Sequence, residues 1–300
     1  MLDNLNLLML APVLNIQLIL DGIFIGAIFA LAAYGLALVW GVMNVKNLAQ
    51  GDFVIMGGYF ALTLGHMGIH PILALPVAAV VMFCFGWIIY RTIIFRVIDK
   101  DLFISLLATF GLAIVIQQGL NLAFGPEVAI AESGFDTWSL FDGSVTVAQT
   151  KAVTFVLCVS LALLVVLFMK RSRMGQAIRA TAQDARAARV MGIDTDKVYA
   201  FTFALNAAIC GAAGVMVAMI WTIQPFFGVP HSIRSFVIVV AAGLGNLPGV
   251  IAAAFGIGVA EQYGGFVLGA ELQQATVVGM LLLVLVWRQL QSRRHRRAVI

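Results

Sequence analysis

KRSRMGQAIRATAQDARAARVMGIDTDKV (residues 170–198) is the longest polar break in an otherwise apolar chain. It carries seven Lys or Arg residues against three Asp, and these alternate with Ala, Ile, Val and Met at helical spacing. A loop that only joined two membrane helices would not need such a pattern. We therefore predict that 170–198, called here the docking segment, is a cytoplasmic helical segment that binds a soluble partner. The alternative is an amphipathic helix resting on anionic lipid.

Good helix formers run from Gly175 to Val190, which predicts one short helix across the cytoplasmic face. Gly192 stands where a left-handed residue would end that helix. Asp194 or Thr195 can then cap the helix that enters the membrane. Three arginines are expected to project outward: Arg179, Arg186 and Arg189.

Composition places the rest of the chain in a membrane. Of 300 residues, 62% are hydrophobic and 11% are charged, whereas soluble domains have about 25% charged residues. A membrane span needs about 20 apolar residues. Eight stretches qualify wholly or in part: 15–40, 52–67, 71–91, 102–123, 152–170, 199–222, 233–267 and 271–288. We predict an all-α, polytopic helical bundle of about eight to ten transmembrane or partly spanning helices, forming a single transmembrane domain over 1–300.

Loop charges orient these helices. Basic residues cluster in 91–101, in the docking segment and in 288–297, which places all three in the cytoplasm. The loop 124–150 is predicted to be external because its charges are acidic: Glu127, Glu132, Asp136 and Asp142. The chain from 199 to the tail then crosses an even number of times, so the long stretch 233–267 must be split at 243–249. Because the basic clusters are explained by topology, no nucleic-acid partner is predicted.

Three separated stretches resemble one family. GQAIRATAQDARAARVMGIDTDKVYAFTFALNAAICGAAGV (175–215) looks like the cytoplasmic loop of permease subunits of branched-chain amino acid ABC transporters. GIFIGAIFALAAYGLALVWGVMNVKNLAQGDFVIMGGYFA (22–61) is similar to the N-terminal signature of that family, and GLGNLPGVIAAAFGIGVAE (243–261) to its late Gly/Pro motif. The resemblance is collinear over nearly all of the chain and is most like the H-type of the two paired permeases. The chain departs from the family pattern at 48–51, where LAQG replaces FAHG, and in its tail, which lacks the Arg-Pro-x-Gly-Leu ending.

The resemblance implies a type II ABC importer-like permease that translocates branched-chain or related amino acids across the bacterial inner membrane. It also implies the partners: a second permease of the family in a heterodimer, two ABC ATPase subunits that bind the ATP, and a periplasmic substrate-binding protein. In the family this cytoplasmic loop contacts the ATPase. ATPase coupling is therefore carried over to Gly175, Arg179, Ala182, Asp184, Arg186, Ala188, Gly192, Ile193 and Asp194.

The other two stretches predict a translocation pathway. Polar groups interrupt the apolar chain at 44–52, and irregular backbone at membrane depth is tolerated only where protein buries it or a cavity adjoins it. Asp52 can cap the helix that follows, and broken helices in transporters aim their first N–H groups at substrate carboxylates. The candidate pathway residues are Asn44, Asn47, Gln50, Gly51, Asp52, Gly57, Gly58, Tyr59, Gly243, Gly245, Asn246, Pro248, Gly249 and Glu261. The alternatives are an ordinary interfacial turn at 44–52, a tight cytoplasmic hairpin at 243–249 and a solvated Glu261.

Motifs for chemistry are absent from the sequence. Without a GxxxxGK[ST] phosphate loop, the chain itself is not expected to hydrolyse ATP. HExxH, GxSxG and a credible carboxylate pair are also absent, so we predict no enzyme, no catalytic residue, no cofactor and no metal site. Two other functions remain open: an ABC permease for urea or short amides, and a stand-alone secondary transporter.

Overall fold

The helices follow the apolar stretches of the sequence. The structure is a computed structural model that describes residues 4, 7–8, 10–98, 100–140, 145–243 and 245–297. The helices are α1 (Pro12–Met43), α2 (Gln50–His66), α3 (Pro71–Ile89), α4 (Leu102–Phe124), α5 (Gln149–Arg171), α6 (Arg173–Gln183), α7 (Ala185–Val190), α8 (Thr195–Ile220), α9 (Gly228–Ala242), α10 (Leu247–Leu268) and α11 (Gln273–Arg297). A π-helical turn, Tyr90–Ile94, and a short helix, Phe95–Val97, prolong α3, and the 3-10 turn Ala270–Leu272 precedes α11.

Six helices of the described residues are long and apolar enough to cross a membrane: Val13–Met43, Pro71–Val97, Phe103–Phe124, Gln149–Arg171, Thr195–Ile220 and Leu247–Leu268. Two shorter apolar helices, Gly228–Ala242 and Ala270–Val286, accompany them. With α2, which has 17 residues, the described bundle contains nine helices of crossing or partly crossing length (6 + 2 + 1). This confirms the predicted polytopic helical bundle.

Two helices form the centre of the bundle. About 89% of the apolar part of α1 and 83% of that of α8 are buried inside the bundle, whereas only 22% of that of α5 is buried. Small residues let the backbones approach closely, as is usual between membrane helices. A Cβ added to Gly22 of α1 would lie 2.5 Å from the Cα of Val259 in α10, and a Cβ on Gly86 of α3 would lie 2.6 Å from the Cβ of Ala207 in α8. α10 therefore packs closely on α1, and α3 packs closely on α8.

The predicted split of the stretch 233–267 is confirmed. α9 ends at Ala242 and α10 begins at Leu247. Gly243 and Gly245, with φ of 89° and 80°, adopt left-handed backbone that an L-residue would resist. The side-chain oxygen of Asn246 accepts the N–H of Gly249 at 3.0 Å and so caps α10.

The loop 124–150 contains more structure than the two turns that its sequence indicates. β1 (Thr137–Leu140) pairs antiparallel with β2 (Val145–Ala148). The loop also pairs with the chain that follows α8, through a bridge between Ala129 and Ile223. Asp142, one of its predicted acidic residues, lies outside the described residues.

We call the end of the bundle that carries this loop the loop end, and the opposite end, which carries the docking segment, the basic end.

Candidate translocation junction and docking segment

α2 begins inside the bundle and not at its surface. Asn44 ends α1 in left-handed backbone (φ 55°), and the chain then turns back among the helices. On this return path the hydroxyl of Thr109 in α4 donates to the carbonyl of Lys46 at 3.2 Å and accepts the N–H of Leu48 at 3.3 Å. These contacts satisfy backbone groups that have no helical partner. The protein therefore buries much of this irregular backbone, although Asn44 is exposed, and the role of 44–52 in a pathway stays a prediction.

α9 also begins inside the bundle, but the chain reaches its first residue from the loop end. After α8 ends, Ile223 pairs with the loop 124–150 at the loop end, and the chain re-enters the bundle through the buried Pro225 to reach Gly228. The sequence placed the start of this helix at 233, five residues too late. Because α2 runs toward the loop end and α9 runs toward the basic end, their first turns face each other within the protein.

The first turns of α2 and α9 meet in backbone contact at a site that we call the half-helix junction, formed by 48–52 and 228–232. The N–H of Gly51 donates to the hydroxyl of Ser232 at 2.8 Å, and this hydroxyl donates to the carbonyl of Leu48 at 2.8 Å. A Cβ on Gly51 would lie 1.8 Å from the carbonyl oxygen of Gly228. Two broken helices with facing N-termini are the arrangement that transporters use at binding sites near the membrane midplane.

Gln50 connects the junction to both central helices. Its side-chain N–H groups donate to the carbonyl of Ala32 in α1 at 2.9 Å and to the side-chain oxygen of Asn206 in α8 at 3.0 Å. Asn206 returns a hydrogen bond to the side-chain oxygen of Gln50 at 3.0 Å. Both amides are fully buried, so losing either one would deprive the other of hydrogen bonds that water cannot replace.

Asp52 is buried at the centre of the junction, where only 1% of it is exposed. Gln117 of α4 donates to its Oδ1 at 2.9 Å, and this oxygen lies so close to Gly228 that a Cβ there would be 1.9 Å away. The expectation that Asp52 caps α2 is wrong: α2 begins at Gln50, and no side chain caps it. Instead, the carboxylate lies in the first turn of α2 and beside the first residue of α9, where two helix dipoles favour negative charge.

The remaining pathway candidates near α2 have different surroundings. Asn44 is exposed, while Asn47 is buried and accepts the N–H of Ala49 at 3.1 Å. Gly57 and Gly58 pack against α8: a Cβ on Gly57 would lie 2.3 Å from the carbonyl oxygen of Gly211. Tyr59 stacks on Phe124 with ring centroids 4.5 Å apart, and among the described residues its hydroxyl has no hydrogen-bond partner. Their place in a pathway stays a prediction.

The turn 243–249 lies at the basic end. It has the geometry of a tight hairpin, which is the alternative to pathway lining for this stretch, and Pro248 occupies its place in the first turn of α10. Gly245 and Leu247 line a cleft of about 310 Å³ together with Ile178 and Arg179 of the docking segment and Gly41 of α1. All three sequence motifs thus meet in this cleft.

Glu261 of α10 is buried and paired. Its two carboxylate oxygens accept hydrogen bonds from Nε of Arg234 at 3.0 and 3.1 Å, and Oε1 also accepts one from Nη2 at 2.6 Å. The exposed side-chain fractions are 3% for Glu261 and 15% for Arg234. Of the two alternatives for Glu261, the structure therefore shows the buried one.

The docking segment contains two helices and not the single helix predicted over 175–190. α6 ends at Gln183 and α7 begins at Ala185, with Asp184 in extended backbone between them. The carboxylate of Asp184 accepts the N–H groups of Arg186 at 2.8 Å and Ala187 at 3.0 Å. The prediction is wrong because an Asp side chain competes for backbone N–H groups and so favours a cap over a helix interior.

α6 is attached to the end of α5. A Cβ on Gly175 would lie 2.5 Å from the carbonyl oxygen of Met169, so only glycine allows this approach. Arg179 donates from Nη1 to the same carbonyl at 2.6 Å. Arg179 is exposed, as expected, and its guanidinium also satisfies a carbonyl at the end of a helix.

α7 is attached to the start of α8. Gly192 has the predicted left-handed backbone (φ 85°), and Ile193 donates its N–H to the carbonyl of Ala188 at 3.0 Å. Arg189, also expected outside, donates from Nε to the hydroxyl of Thr195 at 2.5 Å. The carboxylate of Asp194 caps α8 by accepting the N–H of Lys197 at 3.1 Å, as predicted.

The Asp194 cap is charged. The ammonium of Lys197 lies 3.0 Å from its Oδ2. This side-chain hydrogen bond, with that from the Lys197 N–H, lowers the pKa of the Asp194 carboxyl below its ordinary value. The cap therefore keeps its negative charge at neutral pH.

The outer surface of the docking segment is basic and apolar. Val190 is 86% exposed and Met191 is 81% exposed, beside the exposed Arg186. Ala182 is exposed as well, whereas Ala188 is buried against the bundle. Large exposed apolar side chains next to a cation are typical of a surface that a partner protein or a lipid surface covers.

Comparison with known proteins identifies the family. Residues 18–286 match the family model described as "Branched-chain amino acid transport system / permease component". The chain belongs to this family. The resemblance carried by the three sequence stretches is thereby confirmed, and the chain is a permease subunit of an ABC importer and a multi-pass protein of the inner membrane.

Individual relatives agree with this assignment. The permease is 30% identical to the high-affinity branched-chain amino acid transport system permease protein LivH of Salmonella typhimurium, over 90% of this chain and 92% of that protein. It is 28% identical to the corresponding permease protein BraD of Pseudomonas aeruginosa, over 91% of this chain and 94% of that protein. The permease protein LivM of Salmonella typhimurium matches at 27% identity over 87% of this chain and 66% of its own length.

Several residues of this permease escaped the sequence analysis. Ser232 and Gly228 form the junction with 48–52, and Asn206 and Gln117 bond to it, but none of the four was singled out by its local sequence, although Asn206 lies within the stretch 175–215. Arg234 did carry a signal, since a charge inside a predicted span marks a functional site by default. Its partner Glu261 was recognised by that same rule.

Proposed function

We propose that this permease imports branched-chain amino acids with a second permease of its family, two ABC ATPase subunits and a periplasmic binding protein. The observation that carries the proposal is the docking segment, which is fastened to α5 and α8 and presents exposed Arg186, Val190 and Met191 outward. The names of the relatives LivH and BraD support the substrate class. Their counterpart LivM supports a paired second permease.

α8 is the element that connects ATPase and pathway in this proposal. It begins at the Asp194 cap of the docking segment, and Asn206, 11 residues after its first residue, holds Gln50 of the junction. At 1.5 Å per residue the two points are about 16 Å apart along one rigid helix. A displacement of the docking segment on ATP binding therefore reaches the junction directly.

The junction acts as the gate. Gly51 and Gly228 are in backbone contact, which in this proposal corresponds to a closed pathway. The hydrogen bonds between the two first turns are few: Ser232 accepts the N–H of Gly51 and donates to the carbonyl of Leu48. Because each such bond contributes only about 1 kcal/mol net, the conformational energy that ATP binding supplies is sufficient to separate the two first turns.

The proposal is tested on the assembled transporter. The double variant Arg186→Glu with Gly192→Val reverses a charge on the docking surface and removes the left-handed turn. We expect it to co-purify with much less ATPase and to lose ATP-driven L-leucine uptake in proteoliposomes. The matched control is Lys100→Glu, which reverses an exposed charge at the basic end outside the docking segment and should behave as wild type. Unchanged uptake by the double variant would refute coupling through 170–198.

The substrate class has a separate test. The periplasmic binding protein that co-purifies with the permease is denatured, and the released ligand is identified by mass spectrometry. A branched-chain amino acid supports the proposal, whereas urea or a short amide would replace the substrate class and leave the coupling intact.

A further inference from the structure

A cavity of about 250 Å³ lies at the loop end, where α8 ends and α11 begins. Its polar wall includes Arg234, Glu261 and Gln262, and its apolar wall includes Trp221 and Phe227. This volume lies below the usual range for drug-sized ligands and suits a small metabolite. The cavity adjoins the half-helix junction: Pro230 and His231 of the junction belong to its lining, and Arg234 follows Ser232 by only two residues.

Burying the ion pair of Arg234 and Glu261 costs desolvation free energy. Desolvating two charges costs more than their attraction returns unless the geometry is excellent, and ionisable residues within membrane spans usually serve the transported species. If the pair served only to fasten α9 to α10, it would need no cavity beside it. Here one side of the pair is accessible: Nη1 of Arg234 makes no hydrogen bond to any residue that the structure describes.

Two aromatic side chains also hold the guanidinium of Arg234 in place. Its guanidinium carbon lies 5.3 Å from the ring centroid of Phe29, and Phe29 stacks on Trp221 with centroids 6.0 Å apart. The aromatic pair fixes the planar cation and leaves the ring of Trp221 as part of the cavity wall. One cation, one anion and an aromatic wall thus surround the same small volume.

We propose that this cavity is a transit site for the zwitterion of an amino acid on its way to the half-helix junction. The α-carboxylate binds Arg234 and the α-ammonium binds Glu261, while the side chain packs on Trp221 and Phe227. Each charge of the ligand replaces one partner of the protein's own ion pair, so no charge is left unpaired when the ligand arrives or leaves. Urea and short amides carry neither charge and gain nothing from this arrangement.

This inference rests on the proposed function, because it presupposes that the permease transports amino acids. The first experiment compares L-leucine uptake by the assembled transporter carrying Arg234→Gln, Glu261→Gln or both. Each single variant should reduce uptake about tenfold or more, and the double variant should stay as low as the lower single one. The matched control is Lys151→Gln with Asp21→Asn, which removes another ion pair at the loop end, with 2.7 Å between its charges, and should leave uptake unchanged.

The double variant separates binding from a purely structural role. With both charges gone, no unpaired charge remains in the bundle, so a pair that only fastened helices would regain uptake. Recovery in the double variant would therefore overturn the proposal. If the wild-type transporter itself fails to import L-leucine with ATP, the proposed function fails and not this site alone.

The second experiment leaves the ion pair intact. Thr222→Cys places a thiol on the exposed rim of the cavity, and its labelling by a membrane-impermeant methanethiosulfonate is measured against the wild-type background. L-leucine should slow the labelling, whereas isocaproate, isopentylamine and urea, each lacking at least one of the two charges, should not. Equal protection by any of these three compounds, or no protection by L-leucine in vesicles that import it, would overturn the proposal.

Discussion

A Cβ on Gly51 would lie 1.8 Å from the carbonyl oxygen of Gly228, so the first turns of α2 and α9 touch through their backbones. The oxygen belongs to a helix and cannot rotate away, so Gly51→Ala must separate the two helices. Overpacking of this kind costs about 1–3 kcal/mol or more. We expect a lower midpoint of thermal unfolding for the purified permease and a loss of uptake.

Gly111→Ala is the control for this prediction. Gly111 lies in α4 with nothing within 4 Å of its added Cβ, and alanine has the better helix propensity. Its unfolding midpoint should equal or exceed that of wild type. A Gly51→Ala variant that unfolds at the wild-type temperature would contradict the backbone contact.

The buried amide pair of Gln50 and Asn206 predicts non-additive variants. Gln50→Leu or Asn206→Leu leaves the remaining buried amide short of hydrogen bonds, at a cost of about 1–3 kcal/mol each. The double variant removes both amides and should be less destabilised than the sum of the two single variants. Chemical unfolding of all four proteins measures this difference, and strict additivity would mean that the two amides do not interact.

The break in the docking segment predicts a capping effect at Asp184. Asp184→Ala removes the acceptor of the Arg186 and Ala187 N–H groups, which typically costs a helix about 1 kcal/mol. Asp184→Asn keeps an acceptor and should retain most of the cap. Hydrogen exchange of 185–190 should be faster in the alanine variant only. Equal exchange in all three proteins would show that α7 does not depend on this cap.

The Asp194 cap predicts a pH dependence of the docking segment. Because Lys197 lowers the pKa of this carboxyl in the folded protein, its stabilising effect is complete above the ordinary aspartate pKa of about 4 and is lost as the pH falls through the lower folded value. Hydrogen exchange at the start of α8, corrected for intrinsic rates, should therefore show constant protection from neutral pH down to mildly acidic pH. Asp194→Asn should remove the acid-induced loss of protection, and a loss already present at pH above the ordinary value would contradict this account.

Much of the fold could be predicted from composition and charge. The apolar stretches gave the helices, and the parity of crossings located the break between Ala242 and Leu247. The sequence also identified Gly192 as a left-handed residue and Asp194 as a cap, because both depend on neighbours within four residues. The break at Asp184 was missed, although it too is local, because helix propensity was given more weight than the capping preference of aspartate.

The resemblance of three stretches to one family identified the protein as a permease. The sequence by itself also determined that it spans a membrane, which parts of it are helical and where its docking segment lies. These properties follow from interactions between residues close in the chain and from the transfer of apolar side chains out of water. Only the tertiary structure decided where α2 and α9 begin and that Gly51 meets Gly228. It alone paired Gln50 with Asn206 and Arg234 with Glu261. These contacts join residues far apart in sequence, and their partners are chosen by which helices can pack closely enough to satisfy buried polar groups.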